Sequence, residues 1–462
     1  MGKSGFIIIS LIFFAFKCHS QFQTEEYQHA SLGFSVVDVA TGESVKSLNQ
    51  DKSLVPASTL KLITTATALE KLGKDYRFKT EVLASAMPVK GVLKGDLIIK
   101  GGGDPTLGSR YFNNNIYSFL EDWVTAIKNK GITEIKEDIV ADLSLFYPEP
   151  IPSRWIWEDI GNYYGAGVYP LSCFDNYYTL TFYPAKIGAK ARVASVDPKI
   201  KDMTFNIEAV GSSLNRDSAY IYGGPFELQR VVRGSVPANK IDFSIKGSIP
   251  DPPKVLLEML KEKLLTSGVK VSGDVVLSYN PVQAGLKITE TLSPSLHEIA
   301  ENVNFISNNL FAEHLFRALQ PDGDIHHITN DLKTFWERRG IPTTSCFMYD
   351  GSGLSPSDAV SAKFMTDLLV YMATTGRAGK PFMETIPQAG REGSVSYFLR
   401  DLKSAIVLAK SGSMDNTRCY AGYIKKDGKT FAFSIMVNKF TCSQKKVIQD
   451  IEAWLSQTIE TL

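Results

Sequence analysis

A chain of 462 residues, 44% hydrophobic and 21% charged, has the make-up of a soluble globular protein, and its length allows about three domains. Its net charge of +1 gives no broad attraction to nucleic acid or anionic lipid, so neither is expected as a partner. Six histidines, and cysteines without metal-ligand spacing, leave little for metal chemistry, and no cofactor is expected.

At the N-terminus, Lys3 precedes an apolar stretch from Gly5 to Phe16, too short to cross a bilayer core of about 30 Å as a helix. Polar and small residues follow, Lys17-Cys18-His19-Ser20. A basic start, a short apolar run and small residues before a cut read as a secretory signal removed near Ser20, so residues 1–20 are assigned to it and the rest to the periplasm. An uncleaved anchor would need a longer apolar run, and a lipoprotein acylated on Cys18 sits poorly with Lys17 beside it. No second stretch is long enough to cross a membrane. In an oxidising compartment Cys419 and Cys442 are the couple to consider for a disulfide, with unpaired buried thiols the equal alternative.

The next segment alternates as a strand does, through Leu32, Phe34, Val36 and Val37, and turns at Thr41-Gly42. A second strand and Pro56-Ala57 lead to a helix on which Leu62, Ile63, Ala66, Leu69 and Leu72 recur at helical spacing before Gly73. From about 85 to 284 the chain is richer in turns and β-like runs such as Asp96-Leu97-Ile98-Ile99, with helices near 115–129 and 254–266. From 295 it is strongly helical, through Leu296 to Leu319, 328–339 and 361–374. Strands at 404–410 and 430–438 and a helix from about 444 close it. The order predicts one α/β (α+β) domain, built from 21–84 and 285–462, split by a mainly β insertion at 85–284 of two subdomains.

Three short patterns carry chemistry. In Ser58-Thr59-Leu60-Lys61, residues three apart share a helix face, so the Lys61 amine can reach the Ser58 hydroxyl and, once desolvated, activate it. The spacing alone is common: Ser267-Gly-Val-Lys270 and Ser443-Gln-Lys-Lys446 share it. Ser307-Asn308-Asn309 precedes a helix carrying Leu310, Phe311 and Leu315, and reads equally as a helix cap; Ser307 and Asn309 need a turn to face one cleft. Lys410-Ser411-Gly412-Ser413 ends the apolar run Ala405-Ile406-Val407-Leu408-Ala409; a cation beside hydroxyls suits a carboxylate, and Gly412 admits a close backbone approach.

Taken in order, the three resemble the set shared by penicillin-binding proteins and serine β-lactamases. The chain looks like the class C low-molecular-mass penicillin-binding proteins, the D-Ala-D-Ala carboxypeptidase/endopeptidase family. Further stretches that resemble that family are Gly101-Gly102-Gly103-Asp104-Pro105-Thr106-Leu107, Asp350-Gly351-Ser352-Gly353-Leu354-Ser355, and Ala389-Gly390 with Gly393-Ser394. Ser58 and Ser307 are 249 residues apart (307 − 58), Ser307 and Lys410 only 103 (410 − 307). Compact β-lactamases have no room for an insertion in the first interval, so the peptidase is favoured.

The resemblance implies a transpeptidase-like antiparallel sheet with flanking helices and an acyl-enzyme on Ser58, with Lys61 as base, although which group takes the first proton is disputed across the superfamily. It implies a proton relay through Ser307 tuned by Lys410, and Asn309 holding the substrate amide or orienting Lys61. Ser411 and Ser413 would bind the terminal carboxylate, and the backbone N–H groups of Ser58 and Ser413, beside Gly412, would form the oxyanion hole. The implied partners are peptidoglycan stem peptides ending in D-Ala-D-Ala, with β-lactams as inhibitors. Family members often carry a basic residue after Ser-Gly-Leu-Ser, where this chain has Pro356. Trp157-Glu158-Asp159 resembles a stretch whose acid meets the stem peptide's amino group, which makes Asp159, with Tyr164, a substrate-binding candidate; core aromatics beside a solvated acid are the plainer reading. An α/β-hydrolase esterase would need Gly-x-Ser-x-Gly, which is absent. A β-lactamase and a non-catalytic peptidoglycan-binding protein remain the alternatives.

Overall fold

The structure, a computed structural model, describes residues 20–462 except Asp217; residues 1–19 of the signal segment lie outside the described residues. Backbone contacts divide the chain into two units. One comprises residues up to Lys74, Ala300–Ser307 and Thr329–Leu462, the other Asp75–Ile299 and Asn308–Ile328.

The first unit is built on a five-stranded antiparallel sheet, in the order Ser44–Leu48, Ser31–Asp38, Lys429–Asn438, Thr417–Lys426, Ile406–Met414. Alternation puts Phe34, Val36, Tyr420, Phe433 and Ile435 on one face, against Val447, Ile451, Trp454 and Leu455 of the C-terminal helix Gln444–Thr461. The Trp454 and Phe34 rings lie 4.5 Å apart. The helix Ala362–Thr374 packs on the central strands, and Lys61–Leu72 is buried along nearly its whole length. A helix buried all round reads as the interior of a domain, and Gly73, at φ +87°, ends it in a conformation that suits glycine.

The strand Thr417–Lys426 was not expected. Its hairpin to Lys429–Asn438 turns at Asp427-Gly428, both at positive φ, the Asp-Gly signature of a two-residue turn. The edge strand also runs past its expected end, to Met414, so that Lys410 to Ser413 lie inside it. The helical stretch expected through Leu296 to Leu319 is two helices, Leu296–Ile306 and Asn309–Ala318, parted at Ser307, whose φ is +62°.

In the second unit the largest sheet is mixed, in the order Val275–Ser278, Ile139–Asp142, Leu97–Lys100, Lys79–Ala84, Leu286–Leu292. The last two strands flank the expected junctions at 84/85 and 284/285 and pair with each other. The helices Ser118–Asn129 and Pro252–Thr266 supply Trp123, Ile127, Leu256 and Leu260 to its core. Separate sheets of three and four strands, spanning residues 177 to 248, make the rest mainly β.

The four cysteines among the described residues are free thiols. Burial pushes those of Cys346 and Cys419 up to about 12. No helix among the described residues is long and apolar enough to cross a membrane, and no metal-ligating cluster occurs among them.

Candidate active site

Ser58 stands in a 3-10 turn, Ala57–Leu60, that runs directly into the buried helix Lys61–Leu72. Ala57 is held at φ +45°, a conformation that costs a non-glycine residue about 1–3 kcal/mol and recurs at functional sites. Ser58 is partly exposed while Lys61 is fully buried, and Lys61 Nζ donates to Ser58 Oγ at 3.0 Å. The other two occurrences of the spacing have local explanations. Ser443 caps the C-terminal helix by accepting from the Lys446 backbone N–H. Ser267 ends the helix Pro252–Thr266, and Lys270 lies in a short strand beyond it.

Lys61 Nζ also donates to the carbonyl of Ser352 at 2.6 Å. That carbonyl belongs to a loop wound about the buried Asp350 carboxylate, which accepts from the backbone N–H of Ser352 (3.0 Å), Gly353 (2.6 Å) and Ser355 (2.7 Å). Gly353 is at φ +74°, and a Cβ there would come within 2.1 Å of Ala57 O, so the loop can close on the serine turn only with glycine. The sequence singled this stretch out as part of a family pattern but gave it no role; its Asp-Gly-x-Gly composition, favourable for a turn, was the available signal.

A second serine–lysine pair faces the same unit's sheet edge. Lys410 Nζ donates to Ser307 Oγ at 2.9 Å and to Ser411 O at 2.9 Å. Lys410 is fully buried, and burial, then the positive charges of Lys61 and Arg418, hold its ammonium well below the usual lysine range. The two lysines therefore lie within each other's field. Ser307 stands at positive φ, and Asn308 caps the next helix by accepting from Phe311 N.

Gly412 lets the edge strand meet the serine turn. A Cβ there would sit 2.6 Å from Pro56 O and 3.0 Å from the backbone nitrogens of Ser58 and Thr59. Ser411 is buried, 3.4 Å from Ser394 Oγ, and Ser413 is exposed. The sequence reading missed Arg418, paired in register with Ser413.

Asn309 and Asp159 fall in the second unit and connect there through Tyr164. The Asn309 side-chain amide donates to Tyr164 O at 2.9 Å, and the Tyr164 hydroxyl is hydrogen-bonded to Asp159; burial, then the Asp159 charge, raise its pKa. Trp155 is core, whereas Trp157 is 56% exposed.

The sequence model of the D-Ala-D-Ala carboxypeptidase 3 (S13) family matches residues 17–458. A D-alanyl-D-alanine carboxypeptidase of Actinomadura sp. is 29% identical over 448 residues, covering 90% of this chain and 79% of that protein. Among solved structures, penicillin binding protein 4 (dacB) from Haemophilus influenzae superposes with a TM-score of 0.82 at 22% identity, over 96% of this chain and 98% of that one; it has also been solved complexed with a β-lactam. A predatory peptidoglycan endopeptidase from Bdellovibrio bacteriovorus follows, with a TM-score of 0.53 at 16% identity over 94% of each chain. These structures share the fold of this chain.

Proposed function

The chain belongs to the D-Ala-D-Ala carboxypeptidase 3 (S13) family and is a hydrolase of that kind, and we propose that it works through an acyl-enzyme on Ser58. The observation that carries the reading is the pair of buried lysines, each bonded to its own serine: Lys61 to Ser58 at 3.0 Å and Lys410 to Ser307 at 2.9 Å. An activated nucleophile with a separate proton relay is what acyl transfer needs.

Ser58 Oγ attacks the carbonyl carbon of the penultimate D-alanine, and its proton passes to Lys61, which is held in place by its bond to Ser352 O. The tetrahedral oxyanion is met by the backbone N–H groups of Ser58 and Ser413, where Gly412 permits the approach. As the C–N bond breaks, the departing D-alanine amine takes a proton through Ser307, and Lys410 restores it. Water then attacks the ester on Ser58 by the reverse relay and frees the shortened peptide. Ser411 and Ser413 receive the terminal carboxylate, Asn309 holds the substrate amide, and Asp159 with Tyr164 meets the stem peptide's amino group. β-Lactams acylate Ser58 by the same attack and leave slowly.

On this reading residues 21–84 and 285–462 form the catalytic domain, with 85 to 284 an inserted accessory region. The enzyme acts on peptidoglycan outside the cytoplasm, in the periplasm, after loss of a signal ending near Ser20. The endopeptidase among the structural neighbours favours cross-link cleavage as a second activity of the same site. The test is D-alanine release from a stem pentapeptide. Wild-type protein should release it and Ser58→Ala should not; equal release by both would remove Ser58 from the mechanism.

A further inference from the structure

Lys410 and Arg418 are buried cations without an acidic partner among the described residues. Buried charges are ordinarily paired, because desolvating an unpaired one is costly. Lys410 is accounted for by Ser307, whereas Arg418 has no part in the chemistry set out above.

Its surroundings hold it firmly. Arg418 is 6% exposed. Its Nε donates to the Tyr420 hydroxyl at 3.0 Å and its Nη2 to the Tyr397 hydroxyl at 2.6 Å, with a further short contact from Nη2 to Tyr420. The guanidinium lies 4.8 Å from the centre of the Tyr420 ring, which stacks at 3.8 Å on Phe398. Neutral hydroxyls and an aromatic shelf orient a guanidinium without neutralising it.

Register fixes what it sits beside. Arg418 pairs directly with Ser413, and Tyr420 with Ser411. Directly opposed residues of an antiparallel pair share one face of the sheet, so Arg418 lies on the face of the two serine side chains assigned to the carboxylate. The Arg418 charge is also one of the causes that lower the Lys410 pKa.

We propose that Arg418 is a specificity-determining residue, the cation that pairs with the substrate's terminal carboxylate beside Ser411 and Ser413. The inference rests on the assignment of the Ser58 site and of those two hydroxyls. Two serine hydroxyls recognise any acceptor, so the preference for a free carboxylate over an uncharged end comes from Arg418, whose planar fork suits two oxygens. Arrival of the carboxylate gives the buried guanidinium the counter-charge that the fold withholds.

The experiment compares two stem pentapeptides, one ending in the free acid and one in the C-terminal amide, and reads the ratio of their kcat/KM values. In Arg418→Gln the acid-to-amide ratio should fall on the order of 10- to 100-fold, the range of one hydrogen bond to a charged group. A ratio within about threefold of wild type, with both substrates slowed together, would make Arg418 a structural residue and overturn the proposal. If the Gln variant does not fold, Tyr397→Phe decides. Its ring is 45% exposed, and losing the hydroxyl loosens one anchor of the guanidinium. A fall of a few-fold in the ratio supports the proposal, and an unchanged ratio overturns it. Labelling of Ser58 by benzylpenicillin is followed in parallel. Its failure in wild-type protein sinks the underlying site assignment, whereas labelling with an unchanged ratio sinks Arg418 alone.

Discussion

Replacing Gly412 by alanine tests the close approach on which the oxyanion hole depends. The added Cβ would lie 2.6 Å from Pro56 O and 3.0 Å from Ser58 N and Thr59 N, where ordinary contact begins at 3.4 Å. All three neighbours are backbone atoms, so no side chain can swing aside. The strand and the serine turn must part by about 0.8 Å along the tightest contact (3.4 − 2.6). Overpacking of this kind costs about 1–3 kcal/mol of stability, which a domain of this size tolerates. The same shift separates the Ser413 and Ser58 N–H groups. A misplacement near 1 Å costs on the order of 100-fold in rate, and loss of an oxyanion donor about 100- to 1,000-fold. The acylation rate with a chromogenic cephalosporin should therefore drop about 100-fold or more, while thermal unfolding moves by only a few degrees. Gly224→Ala, whose nearest atom is 3.4 Å away, serves as the control and should leave acylation unchanged. A Gly412→Ala enzyme that acylates at the wild-type rate would refute the reasoning.

Asp350→Asn keeps an acceptor for part of the loop but sets an amide donor or a weaker neutral acceptor against one of the N–H groups of Ser352, Gly353 and Ser355. Replacing charge-assisted bonds there should cost about 2–3 kcal/mol in chemical unfolding and lower acylation about 10-fold or more by shifting the Ser352 carbonyl off Lys61. An unchanged acylation rate would remove that carbonyl from the positioning of the base. For Lys410 the sign follows from its lowered pKa. The unfolded chain binds the proton more tightly, so the penalty for burying Lys410 is full below the depressed pKa and fades as pH rises toward 10.5. Lys410→Met removes that penalty. It should raise the melting temperature at pH 7, raise it less at pH 10, and lower kcat by about 100-fold or more through loss of the relay. A variant destabilised at pH 7 would contradict the burial account.

Much of the site was legible because its residues meet through local geometry. Ser58 and Lys61 lie on one helical face, a relation that spacing alone reveals, and Gly412 announced a close approach before the neighbour was known. The competing spacings could not be dismissed without structure, since a cap at Ser443 and a helix end at Ser267 depend on which elements form around them. The break at Ser307 leaves no mark in apolar periodicity; its one sequence sign was the cap-like Ser307-Asn308-Asn309. The strand Thr417–Lys426 mixes β-formers (Thr417, Tyr420, Tyr423, Ile424) with Ala421, Gly422 and two lysines, so its pattern was diluted, and Asp427-Gly428 was the clearest sign of the hairpin. Asp350 and Arg418 act through backbone groups and across strands. Their partners are distant or unpredictable in sequence, so their roles emerged only from register and hydrogen bonding.

The central claim, that Ser58 is the nucleophile, is tested most directly by intact-mass and peptide mapping of the protein after benzylpenicillin, beside Ser58→Ala. The account predicts one stable adduct, carried on the peptide containing Ser58 and missing from the variant. An adduct on another residue, or the same adduct on Ser58→Ala, would contradict it.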